Sequence, residues 1–100
     1  MFERLAEIER RYEELERQVA DPAVIANRRE FAKVAKERSQ LEDTVTCWRE
    51  RQHIAREVEE HRELVRGKDA DLRELARAEL PPLEARLGEL DAALKQHLLP

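Results

Sequence analysis

Residues 27–67 read NRREFAKVAKERSQLEDTVTCWRERQHIAREVEEHRELVRG, with no proline anywhere and no glycine before the last position. Asn27, with Glu30 three residues later, has the form of a capping box, in which side chains satisfy the N–H groups that a helix start leaves orphaned. Ala26 and Phe31 flank it where a small staple fits. Beyond them Phe31, Val34, Leu41, Val45, Trp48, Ala55, Val58 and Val65 keep the three/four alternation of a heptad seam, with Arg38 and Gln52 as its polar members. Gly67 stands where helices commonly end. The spacing predicts a helix over 28–66, roughly 58 Å long at 1.5 Å per residue. A chain of 100 residues has no core deep enough to bury such a rod, so it must be one arm of a helical hairpin.

The flanks supply its partners. Leu5, Ile8, Tyr12, Leu15 and Val19 form a heptad seam and predict a first helix near 2–20. Asp21-Pro22 stops it, because proline disfavours the helical conformation in the preceding residue, and Asp21 is placed to cap a short turn beginning at Pro22. After Gly67-Lys68, Asp69 caps a third helix near 70–98, with Asp71 in its first turn opposing the helix dipole. Its seam runs through Leu72, Leu75 or Ala76, Leu83, Leu87, Leu90, Leu94 and Leu98. The connection is short, so the second and third helices run antiparallel. Pro81-Pro82 predicts a kink or break at 80–82, since each ring removes a donor and crowds the preceding turn. The expected fold is all-α: a three-helix antiparallel coiled-coil-like hairpin or bundle with a long second helix, forming a single helical domain over 1–100.

Composition agrees. Ala, Glu, Lys, Leu and Arg make up 63 of the 100 residues, with 2 Gly and 4 Pro, which leaves little from which to build strands. No apolar run is long enough for a membrane span, and the charged start MFERLAEIERR is unlike a secretory signal. Cys47 is the single cysteine, which suits a reducing, cytoplasmic setting. The net charge of −4 does not suggest a free-standing nucleic-acid binder.

Catalytic chemistry is not legible. No glycine-rich phosphate loop or nucleophile set is present, and the many carboxylate pairs lie on thin charged helices without a cleft. Cys47 beside Trp48 reads as a buried or half-buried thiol. His53, Glu57 and His61 share a helix face but lack a clear third metal ligand, so they read as a solvated face with weak His–Glu contacts. His97 suits the negative end of a helix dipole. Tyr12, Phe31 and Trp48 fall on seams and are expected to glue helix to helix. Arg28, Arg29, Lys33, Lys36 and Arg38 form a local basic cluster; Arg28, Arg29 and Lys33 are the candidate partner contacts, toward RNA phosphates or an acidic protein. No catalytic residue, metal or cofactor is expected.

Three stretches in order carry a family resemblance: ERRYEELE at 9–16; DPAVIANRREFAKVAKE at 21–37, followed by Leu41-Glu42; and DADLRELARAEL at 69–80, continuing as LEARLGELDAALKQHLLP after the two prolines. Together they resemble the N-terminal helical domain of the bacterial peptide chain release factor 1 family, among the class I release factors. The Asp-Pro-x-Val-Ile turn and the helix after it are the most telling part, and Pro81-Pro82 departs from the acidic helical run expected there. The resemblance implies a longer protein that binds the ribosomal A site, reads UAA and UAG, and triggers peptidyl-tRNA hydrolysis. In that family a Pro-x-Thr tripeptide reads the codon and a Gly-Gly-Gln loop directs hydrolysis; neither occurs here. This chain would then be the non-catalytic accessory domain, partnered with the large-subunit stalk base and the recycling GTPase. The competing expectation is a free-standing coiled-coil adaptor. An apolar strip reaching Leu98 and Leu99 would pair with a second copy to give a homodimer.

Overall fold

Four helices account for 90% of the residues, and no strand is present. The structure is a computed structural model that describes residues 1–100. Helix α1 spans Phe2–Val19, α2 Pro22–Ala26, α3 Arg28–Arg66 and α4 Ala70–His97. No helix is long and apolar enough to cross a membrane.

The boundaries follow local chemistry. Asp21 is extended ahead of Pro22, and its Oδ1 accepts from the Ala23 N–H at 2.9 Å. Asn27 is also extended, and its Oδ1 accepts from the Glu30 N–H at 3.2 Å. The capping box is formed on that side, while the Asn27 N–H donates back to the Val24 carbonyl at 3.0 Å. Asp69 Oδ1 accepts from the Leu72 N–H at 3.0 Å and starts α4. Gly67 follows the end of α3 without adopting a left-handed conformation. Its smallness serves close approach: a Cβ there would lie 3.3 Å from the Leu64 carbonyl oxygen.

The chain forms two compact units, Met1–Thr46 and Cys47–Pro100, with α3 contributing to each. In the first unit, Leu5, Tyr12 and Leu15 of α1 and Val34 and Val45 of α3 are buried. Arg11 grips Glu37 with two bonds, Nε to Oε2 at 2.6 Å and Nη2 to Oε1 at 2.7 Å. Arg38, the polar seam position, lays its guanidinium 5.2 Å from the Tyr12 ring centroid and 3.6 Å from Glu16. Phe31 differs from the expectation of a core anchor. It lies in the first turn of α3, at the end of the stripe, and keeps 37% of its surface open.

In the second unit the cross-helix contacts run antiparallel. Cys47 meets Leu90, Arg51 bonds Asp91 at 2.8 Å, Arg86 bonds Glu50 at 2.7 Å, and His61 pairs with Glu79. Trp48 and Val58 are buried. The stripe of α3 toward α4 is Cys47, Arg51, Ile54, Val58, His61 and Val65. The expected Trp48, Gln52 and Ala55 flank it, Trp48 buried and the other two half-buried. On α4 the stripe is Ala76, Leu80, Leu83, Leu87, Leu90 and Leu94. A three-residue step back from Ala76 reaches half-buried Arg73, which leaves Leu72 and Leu75 outside, the latter 55% exposed. Of the kink or break expected at 80–82, the break is absent: Pro81 and Pro82 stand inside a continuous α4. Both rings are exposed, as are Arg77 and Ala78, whose carbonyls lose their helical donors, so the gap in the ladder falls among solvent-exposed residues.

Candidate partner interface

The candidate contacts begin at the start of α3. The Asn27 cap fixes the first turn and with it the placement of Arg28 and Arg29, both exposed. Arg29, Lys33 and Lys36 recur at i, i+4 and i+7 and form one stripe about 60° wide at 3.6 residues per turn. All three are exposed and take part in no ion pair. Arg28 lies about 100° round the helix from Arg29. Arg38 belongs elsewhere, committed to Tyr12 and Glu16 of α1. Of the five clustered cations, the structure thus aligns three, sets one beside them and spends the last inside the first unit.

Two features make this end electropositive. The first turn of a helix carries the positive end of its dipole, and Arg28 and Arg29 add to it where only Glu30 opposes. Basic residues there weaken their own helix, and Glu30 is the one carboxylate of that turn to offset them. Lys33 also helps hold the Glu37 carboxyl below its ordinary range, behind the larger effect of the Arg11 hydrogen bonds. An anion approaching this stripe meets fixed positive charge on exposed side chains.

The other singled-out residues fall into place without forming a catalytic set. His53 Nε2 bonds Glu57 Oε1 at 2.6 Å along the same helix. His61 is not on a solvated face; it lies in the seam with 16% of its side chain exposed, because the stripe of α3 runs through position 61. No group of three or more His, Cys, Asp or Glu side chains is arranged to hold a metal. Burial pushes the Cys47 thiol upward, away from the reactive thiolate. His97 ends α4 in its last turn.

Two features escaped the sequence reading. One is the alignment of Lys36 with Arg29 and Lys33, which counting in steps of four and three from Arg29 would have found. The other is an exposed apolar group around the Gly67 turn, where Leu64 and Leu72 line a shallow groove with Glu60, Glu63, Lys68 and Asp69.

Comparison with known proteins is specific. A family model described as the PCRF domain matches residues 8–100. Over 100 residues the chain is 45% identical to peptide chain release factor 1 of Acidobacterium capsulatum, 42% to that of Solidesulfovibrio magneticus and 43% to that of Geotalea uraniireducens. Each alignment covers all of this chain and 28% of the relative, so the chain spans little more than a quarter of their length. No solved structure matches it.

Proposed function

We propose, since the chain belongs to the PCRF domain family, that it serves as the non-catalytic N-terminal domain of a peptide chain release factor acting in translation termination on the ribosome. The observation that carries this reading is the whole-chain similarity to proteins named peptide chain release factor 1. The full protein would read UAA and UAG and work in the cytoplasm. The domain's own task is docking, at the stalk base of the large subunit and in response to the recycling GTPase. Preformed helices suit that task, because little conformational freedom is lost when they bind. Arg28, Arg29 and Lys33, joined by Lys36, are the residues that meet ribosomal RNA phosphates.

Two experiments test this reading. Peptide release from ribosomes stalled at a stop codon should not occur with the chain alone. A full-length factor carrying this chain should keep stop-dependent release when residues 1–100 are removed, yet respond poorly to the GTPase. Release by the isolated chain, or a factor indifferent to its removal, defeats the reading. For the contact itself, binding to large subunits across a salt series should weaken in the R29E/K33E/K36E variant. Its salt slope should flatten by about 2–3, as expected for roughly 0.7–0.9 per lost phosphate contact. An unchanged slope removes these residues from the interface.

A further inference from the structure

His61 occupies a seam position of α3 between Val58 and Val65, and both of its ring nitrogens face acceptors. Nδ1 lies 2.7 Å from the Glu57 carbonyl oxygen, one turn back on α3, and Nε2 lies 2.7 Å from Glu79 Oε2 on α4. A carbonyl and a carboxylate have no proton to give, and a neutral imidazole carries one N–H. Both contacts are hydrogen bonds only when the ring is doubly protonated.

The charges around it favour that state. On α4 the direct partner is Glu79, while Arg86, which lines the same groove, is turned to Glu50 at 2.7 Å and Glu89 at 3.1 Å. On α3 the Glu57 carboxylate is held by His53 but still contributes its field, and Arg62 next door leans to Glu84 at 3.8 Å. The hydrogen bond to Glu79, followed by that to the Glu57 carbonyl, raises the His61 imidazole above its ordinary value in spite of desolvation.

The location gives this contact leverage. Two residues after Glu79, Pro81 and Pro82 deprive α4 of backbone donors. Between them and Gly67, Ala76 is the one buried residue of α4, while Leu72 and Leu75 are open. Of the cross-helix pairs with permanent charge, the short ones, Arg51–Asp91 and Arg86–Glu50, lie on the side away from the turn, and Arg62–Glu84 beside His61 is the long one at 3.8 Å. We propose that His61 is a proton-gated clasp: its imidazolium fastens the turn-proximal ends of α3 and α4 by bonding Glu79 and the Glu57 carbonyl at once, and loss of the proton, which leaves one N–H for two acceptors and no charge opposite Glu79, loosens the hairpin end over residues 63–78. Because the folded pKa is raised, the fastening is complete below the ordinary histidine value near ~6.5. It is lost as pH rises through the higher folded value.

The test uses the chain of 100 residues and reads the ring and the backbone separately. Imidazole nitrogen shifts by NMR should show His61 doubly protonated at and somewhat above its ordinary midpoint. Amide protection factors over 70–78, corrected for intrinsic exchange, should fall several-fold as pH rises through the His61 midpoint, while those near Trp48 hold. Glu79→Gln keeps an acceptor and removes the charge, so the midpoint should drop toward the ordinary value. His61→Gln should abolish the pH dependence of protection, and His53→Gln should leave it in place. A His61 found neutral at its ordinary midpoint, a midpoint unmoved in Glu79→Gln, or protection that stays flat through the titration overturns the proposal.

Discussion

Leu15 and Leu94 keep no surface for solvent, so truncating either one opens a cavity in a thin core. Leu15→Ala should lose about 2–5 kcal/mol. At about 4–8 °C per kcal/mol for a chain of this size, the helical melt should then fall by ~10 °C or more. Leu75→Ala, at an open position, should change stability by no more than about 0.5 kcal/mol. Chemical denaturation of both variants checks the contrast. Trp48 and Phe31 make a second pair: Trp48→Ala should cost about 3–5 kcal/mol, while Phe31→Ala should cost clearly less. Charge behaves differently. Arg11 holds the Glu37 carboxyl below its usual range through its hydrogen bonds. Since that folded pKa is depressed, the stabilisation is full above the ordinary carboxylate value near ~4.3 and fades as pH falls through the folded one. Both side chains are more than a third exposed, at 41% and 38%, so solvent screens much of the effect. Glu37→Gln should therefore flatten the acid limb of a stability profile only slightly, and salt should erase the difference.

Each helix tests a different local rule. Gly88 stands inside α4 with nothing within 4 Å of where a Cβ would be. Gly88→Ala should stabilise by about 0.5–1 kcal/mol, since it restricts the unfolded chain and meets no neighbour. Asp69→Ala removes the bond to the Leu72 N–H and should cost about 1 kcal/mol. The ends of the helices were open to reading because Asp21-Pro22, Asn27 and Asp69 act within a few residues of themselves. The interior register was less so. Val58 and Val65 belong to either of two seams one residue apart, and Ile54 beside Ala55 gives no local reason to choose. The pairs made across the helices, Arg51 to Asp91 and His61 to Glu79, join residues 40 and 18 positions apart, which no local pattern encodes. The same cause concealed His61, whose neighbours in sequence are all compatible with an exposed face. At Pro81-Pro82 the helix continues without a break, and the residues whose carbonyls lose a donor, Arg77 and Ala78, are exposed, where the loss of a backbone bond costs least. The basic cluster of the candidate interface was visible from composition, but its division into an aligned stripe and an Arg38 spent on Tyr12 needed the packing of α1.

At the scale of the whole molecule, α3 is covalently common to both units while each unit keeps its own buried residues. The second unit begins with Cys47 and Trp48, the sole thiol and the sole indole of the sequence, side by side. Cys47 is half-buried with Sγ 4.0 Å from the Leu90 carbonyl oxygen, and burial disfavours its thiolate, the form that reacts. Modification by a maleimide should consequently be much slower in the folded chain than in urea, and labelling at the rate of a free thiol would contradict the burial. The adjacent indole supplies emission that shifts when water reaches it. Nature has thus installed a chemical clock and an optical gauge on consecutive residues. Plotting labelling rate against fluorescence tells transient breathing of one unit from melting of the entire chain, with no foreign label added.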